Sequence, residues 1–176
     1  MMQPKFSDNV ILTGFMGTGK TTVGRLLAET LAFELIDTDV YIEETSGKTI
    51  PEIFASDGEK VFRQLERNTA HDLSQSQKKV ISTGGRFMLD PENVALLQPS
   101  GRIFCLTASP EEILRRVLGD AEGTERPLLK GADPRAKIIA LLEERQSKYE
   151  QFPQVDTEGK TPEEIRDQIL KQLNSN

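Results

Sequence analysis

The sequence predicts an α/β protein of three layers, in which a five-stranded parallel sheet is covered by helices on both faces. Three observations support this fold class. Short apolar segments alternate with helical segments along the chain, which is the pattern of repeated strand–helix–strand units. The run from Ile103 to Leu106 is continuously apolar, as expected of a strand covered on both faces. A strand, a glycine-rich loop and a helix also follow one another in NVILTGFMGTGKTTVGRLLA, residues 9–28.

The predicted strands are short apolar runs, and the first three end at residues that carry chemistry. The first strand leads into the glycine-rich loop, the second into two aspartates and the third into two glycines. In chain order, the predicted strands are Val10 to Leu12, Phe33 to Ile36, Lys79 to Thr83, Arg102 to Ala108 and Gln154 to Asp156.

The predicted helices carry recognisable start and stop signals. Ser46-Gly47 ends the second helix, Pro51 lies in the first turn of the third, and Thr161 forms a capping box with Glu164. A polar loop is predicted from Gly119 to Gly131. The predicted helices are Lys20 to Leu31, Val40 to Thr45, Thr49 to Phe54, Glu59 to Gln75, a helix after Pro91, Pro110 to Leu118, Asp133 to Glu150 and a helix after Pro162.

The loop after the first strand fits G-x4-G-K-T, the pattern of a phosphate-binding P-loop. Its glycines allow successive backbone N–H groups to face an anion, and the following helix directs its positive end to the same point. Lys20 is placed to reach the β and γ phosphates of ATP, and the Thr21 hydroxyl to ligate Mg²⁺. The alternative is a glycine-rich turn that binds nothing. The predicted nucleotide-binding residues of the loop are Gly14, Gly17, Thr18, Gly19, Lys20, Thr21 and Thr22.

Asp37 and Asp39 follow the second strand and are candidates for the chemistry of phosphoryl transfer. Ligands of parallel sheets gather at the carboxyl ends of the strands, so the P-loop, these aspartates and Gly84 to Arg86 are predicted to share one cleft. One aspartate can hold a water on Mg²⁺ while the other accepts a proton from a substrate hydroxyl. The alternative is a helix N-cap beside a solvated carboxylate.

Three arginines have possible roles toward an anionic ligand. Arg63 lies one helical turn before Glu66, so the two can pair and orient a guanidinium for a carboxylate or phosphate; a surface ion pair is the alternative. Arg126 belongs to the polar loop, which can fold over the nucleotide and bring positive charge to the transferred phosphoryl group; a solvated arginine is the alternative. Arg145, taken alone, is typical of a solvated helix residue.

Composition restricts the remaining classes of function. The 176 residues suit one domain, and a net charge of −6 argues against a dedicated nucleic-acid binder. One cysteine, Cys105, and one histidine, His71, exclude a disulfide within the chain and a cysteine- or histidine-rich zinc site. Met1 to Asn9 lacks the apolar core of a signal peptide, and no apolar run approaches a membrane span. We expect a cytoplasmic monomer without a nucleic-acid or membrane partner.

Taken together, these segments resemble the shikimate kinase family over nearly the whole chain. The resemblance rests on GFMGTGKTTVGRLLA, on DTDVYIEETSGKTIPEIFASDGEKVFRQLE, on STGG, on RPLL, and on an arginine followed four residues later by a tyrosine, here Arg145 and Tyr149. It implies the fold of nucleoside monophosphate kinases, with sheet order 2-3-1-4-5, a substrate-binding region over about 38–66 and a mobile lid over about 119–131. It also implies that ATP and Mg²⁺ phosphorylate the 3-hydroxyl of shikimate, a step toward chorismate and the aromatic amino acids.

For the acceptor side, the resemblance implies roles for five residues. Asp39 matches the carboxylate that binds the substrate hydroxyls and acts as the base. Arg63 and Arg145 match the pair that clamps the shikimate carboxylate, and Gly84 and Gly85 match the backbone that lies against the ring.

For the nucleotide side, the resemblance implies three further roles. Asp37 matches the carboxylate near Mg²⁺, Arg126 matches the lid arginine, and Arg116 is similar to the residue that stacks on adenine. With Lys20 and Asp39, Arg126 completes the expected catalytic set.

One residue departs from the family pattern, because Arg86 occupies the position of a third consecutive glycine. Its side chain can crowd the ring pocket, bring a further cation to an anionic substrate, or point outward without effect. Two alternative functions therefore stay open: a kinase of another small hydroxy acid, similar to gluconate kinase, and an ATP-binding module without turnover. The module is disfavoured by the joint presence of Lys20, Thr21, Asp39 and Arg126.

Overall fold

The computed structural model describes residues 7–119 and 133–175, and its centre is a single parallel sheet. The strands are β1 (Asn9–Gly14), β2 (Glu34–Asp37), β3 (Lys79–Ser82), β4 (Gly101–Thr107) and β5 (Gln154–Asp156). They lie in the order β2-β3-β1-β4-β5, and every neighbouring pair is parallel. The predicted fold class and strand order are confirmed.

Helices and turns connect the strands much as predicted, with bounds that differ by at most two residues. The helices are α1 (Lys20–Leu31), α2 (Thr38–Ser46), α3 (Ile50–Ser56), α4 (Glu59–Ser74), α5 (Pro91–Leu97), α6 (Pro110–Gly119), α7 (Pro134–Tyr149) and α8 (Pro162–Asn174). Two 3₁₀ turns, Phe87–Leu89 and Gln98–Ser100, were not predicted. The C-cap at Gly47 and the capping box of Thr161 with Glu164 are confirmed.

The sheet separates two apolar cores, which explains the continuous apolar runs of its central strands. In β1, Ile11 packs into the core formed with α4, α5, α6 and α7, whereas Val10 and Leu12 pack into the core formed with α1 and α8. All three side chains are fully buried because successive residues of a strand point to opposite faces. Cys105 in β4 is a buried free thiol, as expected.

A third, small cluster lies apart from both cores and joins α2, α3 and α4. It contains Ile42, Ile53 and Phe62, with Ile50 and Leu65 packed against it. This cluster fixes the helices that carry Asp39 and Arg63 relative to each other. None of the helices in the described ranges is both long and apolar enough to cross a bilayer.

Candidate functional site

The P-loop follows β1 at the carboxyl edge of the sheet, and its glycines adopt backbone angles that other residues rarely take. Gly14, Gly17 and Gly19 have φ values of 132°, 75° and 93°. A Cβ atom at Gly14 would lie 2.2 Å from the Leu106 carbonyl oxygen in the neighbouring strand. This position therefore needs glycine both for its conformation and for close packing against β4.

The loop ends at the N-terminus of α1, where backbone amides remain available to an anion. Gly19 is the N-cap residue, and no side chain of the residues that the structure describes caps the helix. Lys20 Nζ donates hydrogen bonds to the carbonyl oxygens of Gly14 (2.8 Å) and Phe15 (2.9 Å), which holds the ammonium group over the loop. Thr18 is buried and closes the loop through a hydrogen bond to the Phe15 carbonyl.

A cavity of about 820 Å³ opens beside the P-loop, a volume suited to a nucleotide. Arg116 borders this cavity and is held in place by several groups at once. Its guanidinium donates to Glu112 (2.7 Å), to the Gly17 carbonyl (3.3 Å) and to the Thr157 hydroxyl and carbonyl (3.0 Å each). Thr22 also lines the cavity.

The predicted metal ligands lie together at the start of α1. Thr21 Oγ1 is 3.5 Å from Asp37 Oδ2 and 3.5 Å from the Ser82 hydroxyl. This set of hard oxygen donors fits Mg²⁺, which typically takes only one or two protein ligands and completes its shell with water and phosphate. Accordingly, no group of three or more His, Cys, Asp or Glu side chains suited to a metal occurs in the described part of the chain.

Asp37 caps a helix and also faces the P-loop threonine Thr21. Its Oδ1 atom caps α2 by accepting hydrogen bonds from the amides of Asp39 (3.0 Å) and Val40 (3.4 Å). The other oxygen faces Thr21. The prediction that α2 begins at Val40 is wrong, because this cap starts the helix at Thr38 and places Asp39 in its first turn.

Asp39 is a strongly perturbed carboxylate of the cleft. Burial and the nearby charge of Asp37 raise its pKa from 3.8 to about 6, while the cations Lys20 and Arg63 partly oppose the rise. Gly84 lies directly against it, since a Cβ atom at Gly84 would be 2.6 Å from Asp39 Oδ1. The Gly84 amide donates to the buried Thr38 hydroxyl at 2.9 Å, which fixes this contact.

Arg63 is oriented by two carboxylates of its own helix. Its Nη1 atom donates to Glu66 at 2.7 Å, and its Nε and Nη2 atoms donate to Glu59 at 3.2 and 3.0 Å. Glu66 is only 2% exposed, and burial raises its pKa although Arg63 lowers it. The alternative of a simple surface pair is therefore wrong, because one partner lies inside the protein.

Arg145 occupies the opposite wall and is only 3% exposed, so the alternative of a solvated helix residue is wrong. Its guanidinium lies 5.4 Å from the centre of the Phe15 ring, and its buried Nε atom lacks a hydrogen-bond partner among the described residues. A Cβ atom at Gly85 would lie 3.8 Å from Arg145 Nη1. A buried guanidinium with an unsatisfied donor beside a glycine turn is suited to bind an anion.

Tyr149 connects the glycine turn to the helix that carries Arg145. Its hydroxyl donates to the Gly85 carbonyl at 2.7 Å. Burial raises the pKa of this hydroxyl, whereas the Arg145 charge and a hydrogen bond with Arg145 lower it. The spacing of four residues puts Arg145 and Tyr149 on the same face of α7, so both reach the turn.

The structure thus brings together the P-loop, Asp37, Asp39, Arg63, Gly84, Gly85 and Arg145, and it places Arg116 at the rim of the nucleotide cavity. Arg126 and nearly all of the expected lid lie outside the described residues. The catalytic and binding roles of these residues remain predictions.

Several contacts in the cleft were not assigned a role from the sequence. Ser82 is the last residue of β3, so its place at the strand end was a usable signal for a group near Thr21. Nothing in the sequence indicated the contact of Phe15 with Arg145 or the contact of Thr157 with Arg116. Each of these contacts joins residues more than 40 positions apart.

Comparisons with known proteins agree with this geometry. A family model described as shikimate kinase matches residues 16–174. A shikimate kinase from Caldanaerobacter subterraneus subsp. tengcongensis is 43% identical over 165 residues, which cover 93% of this chain and 94% of the relative. Another, from Pelotomaculum thermopropionicum, is 50% identical over 142 residues and covers 81% of each chain.

Solved structures give the same family and weaken one alternative. The shikimate kinase from Acinetobacter baumannii in complex with shikimate aligns with a TM-score of 0.86 and 34% identity, over 96% of this chain and 94% of that one. A gluconokinase from Sinorhizobium meliloti 1021 aligns over 94% of this chain and 91% of that one, with a TM-score of 0.59 and 17% identity, a likeness that shows the fold alone. The chain therefore belongs to the shikimate kinase family.

Proposed function

We propose that this kinase transfers the γ-phosphoryl group of ATP to the 3-hydroxyl of shikimate, giving shikimate 3-phosphate and ADP. One observation carries the proposal: Asp39, with its raised pKa, lies against Gly84 and interacts with the charges of both the P-loop cation Lys20 and the acceptor-side cation Arg63. A carboxylate that interacts with cations from both halves of the cleft is suited to receive the proton of an attacking hydroxyl.

On the acceptor side, the cations Arg63 and Arg145 hold the substrate carboxylate, and Gly84 and Gly85 leave room for the ring. Arg63 is kept in one orientation by Glu66, and Arg145 keeps a buried Nε donor available. With the acid anchored in this way, the 3-hydroxyl is held near Asp39, whose pKa of about 6 lets it accept a proton at neutral pH. The acceptor-binding region is thus residues 38–66 together with the glycine turn and α7.

On the nucleotide side, the amides of the P-loop and Lys20 hold the β and γ phosphates, and Arg116 borders the base. Thr21 and Asp37 hold Mg²⁺, which when bound neutralises charge on the phosphates. The hydroxyl oxygen forms a bond to phosphorus, the bond to the bridging oxygen of ADP breaks, and Asp39 takes the hydroxyl proton. Arg126 from the expected lid stabilises charge on the transferred group.

The two alternative functions are less well supported. The relatives at 42–50% identity are named shikimate kinases, whereas the gluconokinase shares only the fold. An ATP-binding module without turnover has no use for the buried Arg145 or for a carboxylate with a raised pKa. The single domain, the monomeric state and the cytoplasmic location remain predictions.

A coupled assay of ADP release with a panel of hydroxy acids tests the proposal. We expect turnover with shikimate, dependence on Mg²⁺, and at most weak turnover with gluconate. Turnover of another acid without turnover of shikimate would overturn it. Tight binding of ATP without turnover of any acid would favour the binding module.

A further inference from the structure

Arg86 has no part in the proposed function, and its backbone explains why an arginine is tolerated beside the cleft. Its φ and ψ angles are −108° and −7°, which is right-handed helical geometry open to any residue. Arg86 is the N-cap of the 3₁₀ turn, whose residues Phe87 and Met88 are fully buried. The segment is thus anchored, and no left-handed conformation demands glycine.

The turn is fixed to α7 on both sides of Arg86. Tyr149 donates to the carbonyl of Gly85, one residue before Arg86, and Lys148 Nζ donates to the carbonyl of Leu89, three residues after it. These bonds place the Arg86 backbone beside the wall that holds Arg145. The positive charge of Arg86 also contributes to lowering the pKa of the buried Tyr149 hydroxyl, although burial raises this pKa more strongly.

The Arg86 side chain is exposed. Other arginines near the cleft are engaged: Arg63 with Glu59 and Glu66, Arg67 with Asp90 and Glu92, and Arg116 with Glu112. Arg86, in contrast, forms no hydrogen bond or ion pair through its side chain with residues 7–119 or 133–175. It is an available cation beside a cleft that also contains the carboxylates of Asp39 and Glu66.

We propose that Arg86 attracts the carboxylate of the acceptor at the entrance of the cleft, from which it reaches the buried Arg145. The inference rests on the proposed function, since it requires an anionic acceptor. The protein as a whole carries a charge of −6 and repels anions, so a local cation at the entrance raises both their local concentration and their rate of association. Because Arg86 is outside the reacting groups, its effect falls on KM and not on kcat.

Initial rates of Arg86→Gln test this role, measured against shikimate at saturating ATP and against ATP at saturating shikimate. We expect KM for shikimate to rise about threefold to tenfold at low salt, with kcat and KM for ATP within about twofold of the parent. Arg86→Lys should retain the parent KM for shikimate, and Arg86→Glu should raise it further. Lys171→Gln, an exposed charge on α8, is the matched control and should leave the kinetics unchanged.

The dependence on ionic strength separates an electrostatic role from a structural one. Raising the salt concentration from about 0.02 M to about 0.3 M should lower kcat/KM for shikimate more in the parent than in Arg86→Gln, because salt screens the guanidinium. Equal salt dependence, an unchanged or lower KM in Arg86→Gln, or a loss confined to kcat would overturn the inference. If the parent itself does not phosphorylate shikimate, the proposed function fails and this inference fails with it.

Discussion

The two halves of the cleft differ in whether backbone or side chains form them. The phosphate-binding part of the nucleotide half consists mainly of backbone from one continuous segment, 14–22, while the end of α6 and residues 159–162 complete the cavity. The acceptor half consists mainly of side chains from α2, α4 and α7 and from the turn after β3. The first is therefore specified locally, whereas the second exists only when distant segments of the chain are packed together.

This difference predicts different consequences of mutation. A substitution at Gly14, where the P-loop leaves β1, meets backbone that cannot move aside, so it should damage the fold as well as ATP binding. A substitution in the acceptor half meets side chains that can move, so it should damage turnover while the fold survives.

Asp39→Asn should have the largest effect on activity. Removing the proton acceptor should lower kcat about 10²-fold to 10⁴-fold, while the dissociation constant of ATP stays unchanged. Rapid-quench or coupled assays measure kcat, and calorimetry measures ATP binding. Asp167→Asn on α8 is the matched control, and undiminished turnover by Asp39→Asn would refute the role of Asp39 in proton transfer.

The pH dependence of the same variant sharpens this test. In the parent, kcat/KM for shikimate should rise with pH through about 6, because the Asp39 carboxyl must be ionised to accept a proton. The folded pKa lies above the ordinary value of 3.8, so the contribution of Asp39 to stability falls as pH rises from 3.8 to about 6. Asp39→Asn should therefore lack the rise of kcat/KM with pH. At pH 7, it should also raise the free energy of unfolding by about 1 kcal/mol.

Gly14→Ala and Gly84→Ala compare one glycine from each half. The Cβ atom introduced by Gly14→Ala would meet the Leu106 carbonyl at 2.2 Å with φ at 132°, so we expect a loss of about 3 kcal/mol or more in unfolding free energy. The Cβ atom introduced by Gly84→Ala would meet the Asp39 side chain at 2.6 Å and displace it. We expect kcat/KM for shikimate to fall about tenfold to 100-fold with the fold retained.

Denaturant unfolding and steady-state kinetics of the two glycine variants check this contrast. If Gly84→Ala lost as much stability as Gly14→Ala, or if Gly84→Ala kept full turnover of shikimate, the distinction between backbone and side-chain halves would be wrong.

Arg116→Gln tests whether the nucleotide half reaches beyond the P-loop. Loss of the guanidinium that contacts Gly17 and Thr157 should raise KM for ATP about fivefold, with KM for shikimate unchanged. Arg135→Gln is the control, because Arg135 pairs with Glu111, both side chains are more than half exposed, and neither lines the cavity. Its KM for ATP should change less than about twofold; equal effects of the two variants would contradict a specific role of Arg116.

Tyr149→Phe should give the smallest effect. It tests the hydrogen bond that joins α7 to the glycine turn at Gly85. Without the hydroxyl, the Gly85 carbonyl loses a buried donor, so the free energy of unfolding should fall by about 1 kcal/mol. KM for shikimate should rise about threefold while KM for ATP stays constant. Tyr41→Phe is the control for stability, because its hydroxyl contacts Asp72 at the surface at 3.4 Å and should contribute less than about 0.5 kcal/mol. A rise in KM for ATP instead would show that the turn supports the other half.

The nucleotide half of the cleft could be predicted from the sequence more completely than the acceptor half. The P-loop was predictable because its glycines, Lys20 and Thr21 are nearly consecutive and their spacing dictates their geometry. The carboxyl-end rule for parallel sheets also placed Asp37, Asp39 and Gly84 in one cleft. The burial of Arg145 was not predictable from its neighbours, since α7 is largely polar and the contact with Phe15 joins two distant parts of the chain.

The sequence by itself determined the strand–helix alternation, the phosphate-binding loop and, through its resemblance to known proteins, the family. Hydrophobic periodicity and local backbone preference act over a few residues, so they can be recognised from the sequence alone. Only the tertiary structure decided that Asp37 caps a helix while facing Thr21, that Glu66 and Arg145 are buried, and that Arg86 is exposed without strain. Burial and charge depend on which segments pack together, and that is a property of the whole fold.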